Sequence, residues 1–263
     1  SDAEELKKLV HKNKIIFALT HNYSAYPMLR EAKKIVTSGK IGKVNLVNVE
    51  YPQGYTAGIK KKDERKILKW RLDKNISGPS MILSEIGTHA YHLLRYVTEL
   101  EVKELAAEVN TLSKELTVDD NAFVLLRLNN NARGAIWVSS AATGGENGLK
   151  IRVYGTKGAV EWFQDDPNNL KFTELDKPTK IITRASKGVS NFSLRSSRLA
   201  AGHPEGFFEA FANIYTEFAD IINMQSKKNI VPSYPTIDDG VKGIKFIFAA
   251  KKSSKLNSKW IKI

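Results

Sequence analysis

The chain has 263 residues, of which 42% are hydrophobic, and it carries a formal net charge of +13. It has no cysteine, which excludes disulfide bonds and thiolate zinc sites. No apolar run has the length of a membrane span, and the N-terminal stretch SDAEELKKLVHKNK lacks the pattern of a signal peptide. We therefore expect a cytoplasmic protein with no membrane partner. Lysine and arginine are scattered rather than interleaved with aromatic residues in a stripe, so we also expect no nucleic-acid partner.

The first forty residues have the pattern of a helix, a buried strand and a second helix. Residues 2–13 are periodic and polar, and IIFALT (15–20) is a continuous apolar run typical of a strand in a parallel sheet. The next helix is expected to end near Gly39 and Gly42. This opening is typical of the end of a doubly wound domain, whose phosphate loop follows an earlier strand. Neither G-x-G-x-x-G nor G-x-x-x-x-G-K-[ST] occurs, so we expect residues 1–40 to be the remnant of a truncated Rossmann domain.

The remaining residues, 41–263, have the pattern of an α+β domain. They predict a large open antiparallel sheet with helices on one face. Strands are expected from segments of alternating polarity at 43–54, 102–110, 122–130, 132–140, 149–155 and 159–164, with SKWIKI as a closing strand. Two amphipathic segments, 205–225 and 236–254, predict helices.

One predicted helix carries three titratable side chains on one face. It is GPSMILSEIGTHAYHLLRY (78–96), with Ser77 as the expected cap. Glu85, His89 and His92 follow the spacing i, i+4, i+7, which places them on one side of a helix.

Residue types alone leave three interpretations of these side chains open. They are a polar flank at the edge of the core, a metal-dependent hydrolase site, or an acid/base pair. The metal site has the least support, because H-E-x-x-H is absent and no further ligand cluster is evident. In the acid/base pair, a histidine that titrates near neutral pH is oriented by a carboxylate one turn earlier.

The sequence EIGTH, together with SGKIGKV, KWR, VYGTKGAVEW and AGHPEGFFEAFANIY, resembles the glucose-fructose oxidoreductase / inositol dehydrogenase (Gfo/Idh/MocA) family. The resemblance covers essentially the whole chain, and THNYSAYPM, VEYPQGY and AGHPEGF are most similar to the levoglucosan dehydrogenase-like members. It implies an oxidoreductase whose Rossmann domain binds NAD or NADP. Its C-terminal domain would hold a sugar or polyol whose hydroxyl is oxidised by hydride transfer.

The resemblance also implies roles for individual residues. His89 matches the family's catalytic base, and Glu85 occupies the position of an aspartate, so that its carboxylate would orient His89 and bind a substrate hydroxyl. The candidates for cofactor contacts are His21, Asn22, Trp70 and Arg71. The candidates for substrate contacts are Tyr23, Gln53, His92 and His203. For these candidates, a purely structural role in a loop, strand end, core edge or helix cap remains an open alternative.

Two departures from the family pattern affect the expected activity. The family's E-K-P motif, whose lysine polarises the substrate oxygen, is absent, and Glu85 is longer than aspartate by about 1.5 Å. Because the phosphate loop is missing as well as this lysine, we expect the chain by itself to be inactive. Because no further ligand cluster is evident, we expect it to hold no metal. A non-catalytic ligand-binding protein of the same fold is the alternative.

The segments AIWVSS, IRVYG and VEWFQ have apolar faces that the helices on one side of the sheet do not cover. Such faces could be buried against another subunit. Because family members commonly associate through this sheet, we expect a homodimer or homotetramer.

Overall fold

The computed structural model describes residues 2–59, 69–223 and 232–263. These ranges contain α-helices, β-strands, one 3₁₀ turn and one π-helical turn. In chain order they are α1 (Asp2–Lys12), a 3₁₀ turn (Asn22–Ala25), α2 (Pro27–Thr37), β1 (Val44–Pro52), α3 (Lys69–Leu72), a π turn (Leu83–Gly87), α4 (Thr88–Thr98), β2 (Val102–Asn110), β3 (Asn121–Leu128), β4 (Arg133–Ser139), β5 (Lys150–Gly155), β6 (Gly158–Phe163), β7 (Asn169–Glu174), β8 (Lys180–Thr183), α5 (Asn191–Leu194), α6 (Phe207–Asn223), α7 (Ile237–Lys255) and β9 (Ile261–Lys262).

In the described part of the chain, nine strands form one open sheet in the order β8-β7-β6-β5-β1-β4-β3-β2-β9. This confirms the expected α+β architecture. The sheet is not entirely antiparallel, however, because β1 pairs in parallel with β4, from Leu46 opposite Arg133 to Pro52 opposite Ser139. A parallel neighbour requires a long crossover connection, and the chain between β1 and β4 supplies one that includes α4, β2 and β3.

One face of the sheet is covered by helices. The side chains of Val47 and Val49 on β1 are buried together with Leu93 and Leu94 on α4, and α7 packs against β2. The opposite face exposes apolar side chains, including about half of the surface of Phe123 (53% exposed). The sheet therefore has one helix-covered face and one open face.

The predicted strand at 15–20 is wrong for this structure. The segment has no regular secondary structure and is not paired with any of the nine described strands, and its Leu19 N–H donates to the carbonyl of Pro235 at 2.8 Å. An apolar run becomes a strand only where a partner supplies the hydrogen-bond ladder. The helix that follows, α2, packs on α4 and α5 and contributes Met28 and Leu29 to the core. The division at residue 40 stays a prediction.

The predicted helix at 78–96 begins later than expected. Its first helical residue is Met81, and the cap is Ser80 rather than Ser77, since Oγ of Ser80 accepts from the Leu83 N–H at 3.3 Å. Asp119 holds this end in place by accepting from Oγ of Ser80 and from the Ile82 N–H. Part of the charged segment before this helix, residues 60–68, lies outside the described residues. No helix in the described ranges is long and apolar enough to cross a membrane.

Candidate active site

A cleft of about 730 Å³ opens where β1 ends beside the π turn, the 3₁₀ turn and the start of α6. Its walls combine one histidine, one ion pair, a row of tyrosines and amides, and two phenylalanines. The lining residues are Thr20, Asn22, Tyr23, Tyr51, Gln53, Tyr55, Arg71, Glu85, Ile86, His89, Glu146, Asn147, Gln164, Phe207 and Phe211. This mixture of apolar surface and converging polar groups is typical of small-molecule sites.

His89 projects into this cleft from the first turn of α4. Its Nδ1 atom lies 3.0 Å from Nδ1 of His21, so one of these two nitrogens donates and the other accepts. The two rings are nearly perpendicular, at 77°. Because Nδ1 of His89 is engaged, Nε2 is the nitrogen left for a ligand in the cleft.

His92 lies behind this pair rather than in the cleft. Its ring stacks on His21 with centroids 5.1 Å apart and on Tyr96 at 5.9 Å, and it is only 5% exposed. It borders a second cavity, with Lys33 and Arg95. His92 therefore reaches the cleft only through His21, which argues against the substrate contact predicted for it.

All three histidines are neutral at physiological pH. Burial lowers the pKa of His21, His89 and His92 to about 3 in each case, with smaller contributions from neighbouring imidazoles and, at His92, from Arg95 and Lys33. Burial removes water from an imidazolium and so disfavours the charged form. Neutral imidazole is the form that a general base requires.

Glu85 does not make the contact to His89 that the sequence predicts. Tyr55 donates its hydroxyl hydrogen to Oε2 of Glu85, and the Arg71 guanidinium lies 2.7 Å from Oε1. The reason is the π turn, in which the N–H of Thr88 bonds to the carbonyl of Leu83, five residues earlier. A wider turn changes the angle between positions i and i+4, and single π turns often occur at functional sites.

The amide of Asn147 organises the polar wall of the cleft. Its Oδ1 accepts from the Tyr51 hydroxyl at 2.8 Å and from Nε2 of Gln53 at 2.6 Å. Its Nδ2 donates to Oη of Tyr23 at 3.3 Å and to Gln164. All four hydrogen-bonding positions of one amide are thus used to orient four neighbours.

Tyr23, Gln53, Asn22 and Arg71 of the predicted set line the cleft, together with His89 and Glu85. Trp70 is 54% exposed, and its ring lies under the guanidinium of Arg71 at 5.3 Å.

His203 lies elsewhere. It is exposed and borders a separate pocket with Arg184. The motif AGHPEGF predicts that His203 contacts the substrate. In the structure its loop turns away from the cleft, because Arg184 donates to the His203 carbonyl at 2.6 Å.

The sequence analysis assigned no role to Tyr51, Asn147, Gln164, Phe207 or Phe211. One signal was available, because Tyr51 and Gln53 are two positions apart on an extended segment and so point to the same side. The amides of Asn147 and Gln164 carry no comparable local pattern.

The cleft residues fit only one end of a dinucleotide. Nδ2 of Asn22 is buried and has no hydrogen-bond partner in the described part of the chain, and Asn22 borders the cleft, so a carboxamide oxygen such as that of nicotinamide would satisfy it. No glycine-rich phosphate loop occurs in the sequence. Among the described residues, no group of three or more His, Asp or Glu side chains has a metal-binding arrangement.

A sequence profile of the GFO/IDH/MocA C-terminal domain matches residues 29–161. The chain belongs to the Gfo/Idh/MocA family. The uncharacterized oxidoreductase YfiI of Bacillus subtilis is 31% identical over 269 residues, which cover 99% of this chain and 68% of that protein. Levoglucosan dehydrogenase of Pseudarthrobacter phenanthrenivorans is 25% identical over 228 residues, covering 78% of this chain and 54% of that protein.

Solved structures of Gfo/Idh/MocA proteins have the same fold. An oxidoreductase from Sinorhizobium meliloti is 42% identical, with a TM-score of 0.86, and the match covers 99% of this chain and 68% of that one. An inositol dehydrogenase homolog from Azotobacter vinelandii, complexed with NADH and myo-inositol, is 27% identical, with a TM-score of 0.86 and the same coverage.

Proposed function

We propose that this chain is the substrate-binding part of an NAD(P)-dependent oxidoreductase that oxidises a hydroxyl of a sugar or polyol. The observation that carries the proposal is His89. Its neutral ring borders the cleft, its Nδ1 is fixed by a hydrogen bond, and its Nε2 is left for a substrate hydroxyl. The other proposed contacts are Tyr23, Gln53 and Glu85 for the substrate, and Asn22 for the nicotinamide.

In this proposal His89 acts as the general base. Nε2 takes the proton of the substrate hydroxyl, which lets the hydrogen on the same carbon leave as hydride. The nicotinamide, when bound, supplies the hydride acceptor. Phe207 and Phe211 form an apolar wall on one side of the cleft, and the amides and tyrosines around Asn147 orient the other hydroxyls.

The chemistry of the cleft walls supports a polyhydroxylated substrate. Tyr23, Tyr51 and Gln53, which Asn147 holds in place, present hydroxyl and amide groups to the cleft, and such groups can pair with hydroxyls that both donate and accept. The solved relative with bound myo-inositol and the levoglucosan dehydrogenase relative agree with this class, and within it we propose the levoglucosan-like subgroup.

The test measures oxidation by the product of the complete gene that encodes this chain. The protein is mixed with NAD or NADP and with myo-inositol, levoglucosan or glucose, and reduced nicotinamide is followed by its absorbance. We expect turnover of at least one of these compounds, with kcat lowered by about 10²- to 10⁴-fold in H89Q. Binding of the compounds to both proteins, followed by ligand-observed NMR, is expected to persist. Binding without turnover by the wild-type protein would instead support the non-catalytic alternative, a ligand-binding protein of the same fold.

The contacts of the described residues speak against the metal-dependent hydrolase, the other alternative. Glu85 is engaged by Arg71 and Tyr55, and His92 is packed behind His21, so the three side chains do not converge on one point.

Two further predictions remain part of the proposal. The chain by itself is expected to be inactive, because it lacks both the phosphate loop and the E-K-P lysine, and turnover by the isolated chain would contradict this. The open face of the sheet is expected to form a homodimer or homotetramer interface.

A further inference from the structure

Nδ1 of His89 is paired with an imidazole and not with a carboxylate. His21 supplies the partner nitrogen at 3.0 Å, while Glu85 is held by Arg71 and Tyr55. His21 is 9% exposed, and the ring of His92 stacks on it at an interplanar angle of 22°. The orientation of His21 relative to His89 is therefore fixed from two sides.

The location of a single hydrogen decides what His89 can do. Between two neutral imidazoles, an Nδ1···Nδ1 hydrogen bond contains one hydrogen. If His89 holds it, Nε2 of His89 presents a lone pair to the cleft and can act as a base. If His21 holds it, Nε2 of His89 carries a hydrogen and can only donate. When Nδ1 of His21 is unprotonated and accepts the hydrogen bond, His89 carries its hydrogen on Nδ1. The protonation of Nδ1 of His21 thus sets the tautomer of His89.

We propose that His21 is the positioning residue of His89 and that the two imidazoles take up the substrate proton as one unit. This inference rests on the proposed function. The hydroxyl proton moves to Nε2 of His89, and the Nδ1 proton of His89 passes to Nδ1 of His21. The O–H and C–H bonds break, a carbonyl forms, and the hydride reduces the nicotinamide. His89 ends neutral with hydrogen on Nε2, and His21 ends as the imidazolium.

The surroundings make the charge on His21 transient. Burial, which is the main cause, and the neighbouring His92 lower the pKa of His21, whereas the carboxylate of Asp239 on α7 raises it. The pair is therefore neutral at rest, and a proton placed on His21 has to leave in each turnover. While the proton is on His21, the imidazole of His89 separates it from the newly formed carbonyl group.

The first test reads the tautomers directly and needs no activity. In ¹⁵N NMR spectra of this chain, we expect the His89 ring to be protonated at Nδ1 and the His21 ring to be unprotonated at Nδ1. In H21F, which keeps a ring that can stack on His92 but has no nitrogen, His89 is expected to change to the Nε2–H tautomer. An unchanged His89 tautomer in H21F would overturn the proposal.

The second test is kinetic and uses the product of the complete gene. H21F is expected to lower kcat by about 10- to 100-fold, a part of what general base catalysis contributes, with KM unchanged. H21N places an amide near the former Nδ1 position, where its oxygen can accept from Nδ1 of His89 but cannot take up a proton. It is expected to restore the Nδ1–H tautomer of His89 in the NMR spectra and to recover only part of kcat. Full recovery of kcat in H21N would contradict the shared uptake of the proton.

The two tests separate the two proposals. A wild-type kcat in H21F, together with an inactive H89Q, would contradict the role of His21 and leave the proposed function intact. A wild-type protein that oxidises no sugar or polyol would contradict the proposed function, and the NMR spectra would still decide whether His21 sets the tautomer of His89.

Discussion

Nδ1 of His21 and Nδ1 of His89 lie 3.0 Å apart although the residues are 68 positions apart in the chain. The contact joins the segment before the 3₁₀ turn to the first turn of α4. It also explains how His89 can be oriented while the nearest carboxylate on its own helix is engaged by Arg71.

Replacement of His89 is expected to remove the chemical step and leave ligand binding intact. H89Q retains a polar side chain but has no basic nitrogen, so kcat is expected to fall by about 10²- to 10⁴-fold. Stopped-flow hydride transfer in the complete gene product measures this. H203Q changes an exposed histidine that borders a different pocket and serves as the control. Equal losses in both variants would argue against a base at position 89.

Replacement of Glu85 tests whether this residue acts through the contacts seen in the structure or through the contact with His89 that the sequence predicts. Glu85 contacts Tyr55 and Arg71, so E85Q is expected to raise KM and to change kcat by less than about 5-fold, since the positioning of His89 remains. Steady-state kinetics of E85Q, R71A and the double variant measure the coupling of the pair. A large loss of kcat with unchanged KM in E85Q would mean that Glu85 orients the base after all.

Removal of the Asn147 amide is expected to weaken both the fold and ligand binding. N147A leaves the buried Tyr51 hydroxyl and the Gln53 amide without their shared acceptor, at a cost of about 1–3 kcal/mol in the free energy of unfolding. Urea denaturation and NMR titration with myo-inositol measure the two effects. N169A removes an amide that bonds to Asp166 and borders the separate pocket next to His203, and it is expected to leave binding unchanged.

Stability is expected to decrease as the pH falls below neutrality. The pKa of His21, His89 and His92 is lowered to about 3 in the folded protein, whereas a free histidine titrates near 6.5. Between these values the unfolded chain binds more protons, so the free energy of unfolding falls with falling pH, by up to about 1.4 kcal/mol per pH unit for each histidine. Above about pH 6.5 this dependence is absent.

A series of urea denaturations between pH 7 and pH 4 tests this prediction. H92F keeps an aromatic ring next to His21 but cannot bind a proton, so its stability is expected to fall less steeply than that of the wild type. H203Q is expected to follow the wild-type curve. Identical slopes in H92F and the wild type would contradict the assignment.

The open face of the sheet is expected to mediate self-association. Phe123 and Leu125 on β3 are 53% and 56% exposed, and the ring of Phe123 stacks on that of Trp137 at 6.0 Å. Exposed apolar patches on sheets commonly mark interfaces. F123K and L125K are therefore expected to shift the mass measured by light scattering toward that of a monomer. F208K, on an 83% exposed residue of α6, is the control, and an unchanged mass in all three variants would rule out this face.

The local pattern of polar and apolar residues predicted most of the helices and strands. The strand expected at 102–110 has these bounds in the structure, and α6 and α7 lie within two residues of the predicted helices. Each of these elements buries one face, so its polarity repeats with a fixed period. Strands β7 and β8 were missed, and 15–20 was wrongly predicted as a strand, because pairing depends on a distant partner.

The sequence by itself determined the family, the helix that carries His89 and the residue types of a polar cleft, since these depend on motifs and on periodicity along the chain. Only the tertiary structure decided which groups meet. It gave His89 a histidine partner, directed Glu85 to Arg71 through the π turn, placed Asn147 among four side chains and moved His203 away. A hydrogen bond depends on distances of a few tenths of an ångström between residues that are far apart in the chain, and no local pattern encodes such a distance.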